Sequence, residues 1–217
     1  MTKRAILQPF RLTAGMLATT MVAAAQAACV PPAGFVDRPA PAALPFERLV
    51  SHSESVVINR PLAAVLRVVQ ATSLKDAIDH RSNLPGVSGT HMLTPGDFDR
   101  PGARRLTCLT DGSTVEEQIL VNRSGARAAI FQYVVWNYTT ERARPIDYGV
   151  GRFVRIQSGD GRTHTQWTYG FALRRDRFPG RLGGFGAFLF RKFFLERDYA
   201  TMMRNSLAAE KARAEQK

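Results

Sequence analysis

The chain predicts an α+β fold: an antiparallel sheet of about seven strands, two short helices after the first strand, and one long C-terminal helix. Three observations predict it. From residue 87 to residue 174 the hydropathy pattern has a period of two, the signature of half-buried strands. Asp111-Gly112, Ser124-Gly125 and Asp160-Gly161 interrupt that stretch, and such pairs supply the positive φ angles of tight hairpins. Beyond residue 185, Phe188, Leu195, Tyr199, Met203 and Leu207 recur at spacings that fall on one helical face. The βαβ alternation of a parallel nucleotide-binding sheet is missing.

Each element follows in order. Residues 49–59 are β-branched and extended, a strand. Pro61 opens a helix over 61–70, where a proline is tolerated in the first turn. Ser73 with Asp76 three residues later resembles a capping box and starts a second short helix reaching His80. Asn83-Leu84-Pro85-Gly86 ends it. Strands follow over 87–93, 104–110, 113–122, 126–139, 148–157 and 163–174. A glycine-rich turn over 179–186 leads into a helix over 185–215.

The N-terminus reads as an address. Lys3, Arg4 and Arg11 precede an apolar run over 12–25, and Ala25-Gln26-Ala27 is the small-x-small pattern of a signal-peptidase site. Residues 1–27 are therefore expected to be a cleaved secretory signal and the protein to be periplasmic or secreted. Cys29 directly after Ala27-Ala28 leaves lipoprotein anchoring as an alternative. Residues 28–46, with Pro31, Pro32, Pro39, Pro41 and Pro45, read as a weakly structured Pro/Ala-rich linker. The folded domain is expected over 47–217, one domain by length. Cys108 is expected to be buried and inert. A Cys29–Cys108 disulfide is the alternative and would require the arm to fold back. The formal charge is +12, and without the three basic residues of the leader it is +9. The basic residues are scattered and match no nucleic-acid motif, so nucleic acid is not an expected partner. The charge suits a solvated surface or contact with anionic lipid.

The order of elements, together with several residues, is similar to the START-like helix-grip (SRPBCC) superfamily, which includes polyketide cyclase/dehydrase-type domains. Gly102, Arg105 and Leu106, then Asp111-Gly112, then Val115-x-Glu117-x-Ile119, look like the family's third strand running into its fourth. Tyr133 stands where the next strand usually carries an aromatic, Thr165-x-Trp167 and Phe171 look like the last strand, and 203–207 fit the closing helix. The likeness covers about residues 47–212. It implies a curved sheet gripping the long helix around a deep, mostly apolar cavity. Members carry lipids, sterols, polyketides or aromatic hormones, and some catalyse cyclisation or dehydration.

Alternation nominates the side chains that would face such a cavity. Val115, Glu117 and Ile119 share one face of the fourth strand, leaving Glu116 to solvent. A carboxylate among apolar neighbours requires a cation or a raised pKa. Arg105 is one candidate partner. Arg152, sharing the parity of Tyr148 and Val150, is the other. Glu117 reads as a structural partner, a ligand anchor or, in an enzyme, the acid/base. Phe131, Tyr133 and Val135 share a face, as do Trp167, Tyr169 and Phe171. Tyr199 and Met203 contribute from the helix. Trp136 and Tyr138 have the opposite parity and are exposed unless a bulge shifts them. His52, His80, His91 and His164 are the only histidines, and none has metal-ligand spacing. Neither a nucleophile elbow nor a phosphate loop is present, so no metal or cofactor is expected.

These residues support three functional expectations. The first is an exported, non-enzymatic binder or carrier of a hydrophobic small molecule or lipid. The second is a cyclase- or dehydratase-like enzyme using Glu117. The third is an accessory factor that docks on another exported protein. Residues 178–194 interleave six phenylalanines with Arg181, Arg191 and Lys192, a mixture suited to peripheral contact with an anionic membrane.

Overall fold

The computed structural model describes residues 29–78 and 83–216. The expected leader and the expected helix end at His80 lie outside the described residues. Within them the chain forms β1 (Val50–Ile58), α1 (Leu62–Ala71), α2 (Leu74–Ala77), β2 (Val87–Met92), β3 (Arg104–Leu109), β4 (Thr114–Ser124), β5 (Ala128–Trp136), β6 (Ile146–Gln157) and β7 (Thr163–Leu173). The chain ends in a continuous helix: α3 (Gly183–Phe190), a π-helical segment (Arg191–Tyr199) and α4 (Ala200–Gln216).

All seven strands join one antiparallel sheet in the order β1-β7-β6-β5-β4-β3-β2. Consecutive strands β2 to β7 pair with their neighbours; tight turns join β3 to β4, β4 to β5 and β6 to β7, two of them with positive φ at Gly112 and Gly161, and longer loops over 93–103 and 137–145 join β2 to β3 and β5 to β6. β1 instead pairs with β7 at the far edge, from Val50 opposite Phe171 to Ile58 opposite Thr163. The two short helices carry the chain across to β2. Pro61 sits at the cap of α1, and the Ser73 hydroxyl accepts from the Asp76 amide at the start of α2. The C-terminal helix lies in the grip of the curved sheet, and the architecture is the helix-grip fold.

The sheet buries both faces. On the inner face Val115, Val135, Trp167, Tyr169 and Phe171 pack against Phe190, Leu195, Met203 and Leu207 of the helix. On the outer face Leu49, Val134, Trp136, Tyr148 and Val150 form a second cluster under Ala40, Ala43, Leu44 and Phe46. Covering both faces of a sheet requires a second layer, and here the proline-rich arm supplies it. The arm is pinned rather than weakly structured. Trp136 Nε1 donates to the Arg38 carbonyl at 3.2 Å, Asn137 Nδ2 to the Val36 carbonyl at 3.1 Å, and the Leu44 amide to Tyr148 Oη at 3.1 Å. Cys29 is disulfide-bonded to Cys108, so Cys108 is not the inert buried thiol expected. The arm does fold back.

Four further expectations are corrected. Glu116 does not face solvent: it is 0 % exposed on the outer face. Its carboxylate accepts from Arg104, from Asn137 Nδ2 at 2.6 Å and from the Arg38 amide at 3.3 Å. β3, the end of β5 and the arm supply one donor each, and together they satisfy a charge that burial alone would penalise. Trp136 is buried rather than exposed, beneath the same arm. Tyr148 and Arg152 lie on this outer face as well. The Arg152 guanidinium stands 4.6 Å from the centre of the Phe46 ring, so it cannot partner Glu117. Finally, Phe188 is exposed. A π turn holds more residues than the 3.6 of an α turn. The seven-residue spacing from Phe188 to Leu195 crosses into the π segment, and the two side chains leave a common face.

Candidate functional site

Between sheet and helix lies a cavity of about 1220 Å³, at or above the upper end of ordinary small-molecule pockets, roughly 300–1,000 Å³. Its wall is mainly aromatic and aliphatic: Phe131, Tyr133, Phe153, Trp167, Tyr169 and Phe171 from the sheet, Phe194, Tyr199, Met202 and Leu207 from the helix. The rings contact one another. Trp167 stacks on Phe153 with centroids 4.7 Å apart, and Tyr169 meets Tyr199 at 4.7 Å and Tyr133 at 6.2 Å.

The position of the tyrosines is set by glycine. Tyr133 pairs across the sheet with Gly151, and Phe171 with Gly149. A Cβ on Gly151 would lie 2.3 Å from Tyr133 Cζ. A Cβ on Gly149 would lie 2.6 Å from Tyr169 Oη and 3.0 Å from Tyr138 Oη. Only a residue without a side chain lets the rings lie flat on β6. Because paired residues point to one side of a sheet, Gly149, Gly151, Phe153 and Arg155 are the inner face of β6. The strand's apolar-looking positions, Tyr148 and Val150, are outside.

Two ion pairs punctuate the wall. Arg105 donates through Nε and Nη2 to Glu117 Oε2, each at 2.6 Å, while its guanidinium lies 3.9 Å from the centre of the Phe98 ring. Glu117 is thus buried on the cavity side, partnered by Arg105. The second pair joins β6 to α4: Arg155 Nε and Nη2 donate to Glu210 Oε1 and Oε2 at 3.1 and 2.8 Å. Both side chains are largely buried. A bidentate guanidinium–carboxylate contact of this kind also fixes how the helix lies across the sheet.

The remaining polar groups are hydroxyls and an indole. Burial pushes the Tyr133, Tyr138, Tyr169 and Tyr199 hydroxyls well above the ordinary tyrosine value, with the nearby Glu117 carboxylate adding to the effect at Tyr133, Tyr138 and Tyr199. All four stay protonated and available as donors. Tyr138 Oη, Trp167 Nε1 and Thr107 Oγ1 line the cavity, are buried, and make no hydrogen bond of ordinary length and angle among the described residues. The three side chains reach the wall, but these atoms are themselves shielded by their neighbours rather than open to the empty space, with Tyr133 beside Trp167 Nε1 and Tyr169 beside Tyr138 Oη.

Of the residues nominated from the sequence, the structure brings Arg105, Val115, Glu117, Phe131, Tyr133, Trp167, Tyr169, Phe171 and Tyr199 to the cavity wall. Tyr148 and Arg152 are on the outer face. Ile119 is fully buried but outside the wall; its backbone pairs with Gly102 and Ala103, beside a shift in the β4–β5 ladder. Met203 packs in the core against the sheet, and its neighbour Met202 lines the cavity instead. Sequence reasoning missed Tyr138, Phe153, Arg155 and Glu210. The glycines at 149 and 151 were the available signal: two glycines at alternate positions inside a strand mark a face closely approached by other atoms. Among the described residues no group of three or more His, Cys, Asp and Glu side chains could hold a metal ion.

No protein-family model and no curated protein matches the chain. Solved structures do resemble it. Ara h 8.0201 superposes with a TM-score of 0.52 at 13% identity, over 77% of this chain and 98% of that one. The Zhui aromatase/cyclase from Streptomyces sp. R1128 gives 0.51 at 14%, over 76% and 93%. A hypothetical protein from Helicobacter pylori gives 0.52 at 11%, over 83% and 96%. These likenesses agree with a START-type helix-grip fold, and at such identities they speak to the fold alone.

Proposed function

We propose that this protein is an exported binder or carrier of a hydrophobic small molecule bearing at least one hydrogen-bonding oxygen. The observation that carries the reading is the cavity of about 1220 Å³, walled by aromatic rings and bordered by four tyrosines and the Arg105–Glu117 pair. Apolar burial, ~25 cal/mol per Å², would hold the body of the ligand. A carbonyl, hydroxyl or carboxylate oxygen would accept from a tyrosine hydroxyl or from Arg105 at the wall. The Arg105–Glu117 pair closes on itself, so Glu117 offers orientation more readily than proton transfer. The leader and the Cys29–Cys108 disulfide both suit an oxidising compartment outside the cytoplasm. That bond also uses the Cys29 thiol a lipid anchor would need, which favours a free protein.

Native mass spectrometry of protein purified from its producing cells tests the proposal. The expected spectrum shows one retained hydrophobic molecule per chain, lost in a Val115→Phe/Val135→Phe variant that narrows the cavity. A bare polypeptide that also fails to take up added hydrophobic probes would contradict it. Glu117→Gln separates the carrier from the enzymatic reading: a carrier keeps its ligand, whereas an enzyme retains the ligand and ceases to convert it.

A further inference from the structure

Among the described residues, half of the large apolar side chains left exposed lie in one short stretch: Phe178, Leu182, Phe185, Phe188 and Phe193. The four phenylalanines are 57, 62, 52 and 65 % exposed in the order Phe178, Phe185, Phe188, Phe193. Leu182 at the N-cap of α3 and Phe185 and Phe188 within it recur every third residue, and the Phe185 and Phe188 rings are stacked 6.5 Å apart. The preceding turn is tied to the same helix, since a Cβ on Gly186 would fall 1.8 Å from the Pro179 carbonyl. Phe178 therefore belongs to this surface. Phenylalanines this exposed are not explained by the core, which is already filled by Phe190, Leu195 and Phe194 on the opposite side of the helix.

The charge around the patch has one sign. From residue 174 to residue 192 there are six basic side chains, Arg174, Arg175, Arg177, Arg181, Arg191 and Lys192, against a single acid, Asp176. Asp176 is engaged by Arg174 at 2.9 Å and lies 3.5 Å from Arg177. Arg191 donates to the Ser51 carbonyl and Lys192 pairs with Glu196. Arg175 and Arg181 are exposed beside the phenylalanines. Among the described residues no helix is long and apolar enough to cross a membrane. Aromatic side chains rimmed by arginine on a short helix match the interface of an anionic bilayer, where rings enter the acyl boundary and guanidinium groups meet phosphate.

We propose that α3 and the turn before it dock this protein peripherally on a bilayer surface rich in anionic phospholipid, whichever molecule fills the cavity. The same continuous helix carries Phe194 and Tyr199 in the cavity wall, so docking would bring that wall to the lipid surface.

Co-sedimentation with vesicles tests this, using the protein purified after export with its N-terminus read by mass spectrometry. Vesicles of phosphatidylcholine containing phosphatidylglycerol should bind the protein, phosphatidylcholine alone should bind it weakly, and added salt should release it. Phe185→Ser/Phe188→Ser and, separately, Arg175→Glu/Arg181→Glu should each weaken binding by about ten-fold or more with an unchanged urea midpoint. Because every variant has the same N-terminus, the difference reports the patch. Equal binding by wild type and both variants, or no binding by wild type, overturns the proposal. So does a dimer that dissociates in Phe185→Ser/Phe188→Ser, since the patch would then face a second copy of the chain.

Discussion

Replacing Gly151 by alanine tests the inner face of β6 and the placement of Tyr133 at once. The added methyl would lie 2.3 Å from Tyr133 Cζ, 2.5 Å from Oη and 2.6 Å from Cε1, against an optimal carbon–carbon separation of ~3.5–4.0 Å. The ring must move by more than about 1 Å, and the direction open to it is into the cavity. Gly151 has no positive φ, so alanine brings no backbone strain. By itself the change would add ~0.5–1 kcal/mol of stability, because alanine loses less freedom on folding. Overpacking costs ~1–3 kcal/mol, so the variant is expected to lose roughly 1–2 kcal/mol in urea denaturation. In a Tyr133→Ala background the clash partner is gone and the same substitution should be neutral or stabilising. The coupling in that double-mutant cycle should therefore be ~1–3 kcal/mol. A stabilising Gly151→Ala in the wild-type background, with no coupling to Tyr133, would refute the assignment of Gly149 and Gly151 to the cavity side.

Three other outcomes are expected. Glu116→Ala should cost ~1.5–3 kcal/mol in urea denaturation, because Arg104 keeps Asp37 but loses its fully buried partner, and Asn137 Nδ2 and the Arg38 amide lose their acceptor; a loss below ~1 kcal/mol would mean that the arm does not cover that face. Cys108→Ser should lower stability by ~2–4 kcal/mol, since the Cys29–Cys108 bond closes a loop of 79 residues, and dithiothreitol should do the same to wild type but nothing to the variant. In alkali, absorbance should show Tyr133, Tyr138, Tyr169 and Tyr199 silent until unfolding. The raised folded values of Tyr133, Tyr138, Tyr169 and Tyr199 leave stability intact below the unfolded tyrosine pKa of ~10. Stability should then fall as pH rises above it, because the unfolded chain releases protons that the folded chain keeps; gradual ionisation in the folded protein would contradict the burial of these hydroxyls.

The elements were legible because each has a local cause. Ser73 and Asp76 cap α2, Asp-Gly pairs turn hairpins, and alternation defines strands. Local pattern gives parity within a strand but not which parity faces in. Where a strand alternates apolar with polar residues, as in β7, hydropathy decides. In β6 the inward positions are glycines that accommodate tyrosines from β5 and β7, so hydropathy alone assigns Tyr148 and Val150, and Arg152 with them, to the inner face. Glu116 was misread for a related reason: nothing in β4 records that residues 36–46 return to cover its outer side. A proline-rich composition describes an extended chain, and extended chain serves equally as a linker or as a strap. The helix face from Leu195 to Leu207 was read correctly, but the π segment turned Phe188 outward and exchanged Met202 for Met203 at the cavity.

The most direct test of the central claim uses Trp167, one of only two tryptophans. It lines the cavity, whereas Trp136 lies on the outer face. In a Trp136→Phe background, titration with the hydrophobic probe N-phenyl-1-naphthylamine should quench Trp167 to saturation at one probe per chain. Val115→Phe/Val135→Phe should abolish the quenching while the far-ultraviolet circular dichroism stays that of the parent. Quenching that never saturates, or that persists unchanged in the narrowed cavity, would contradict a ligand-binding interior.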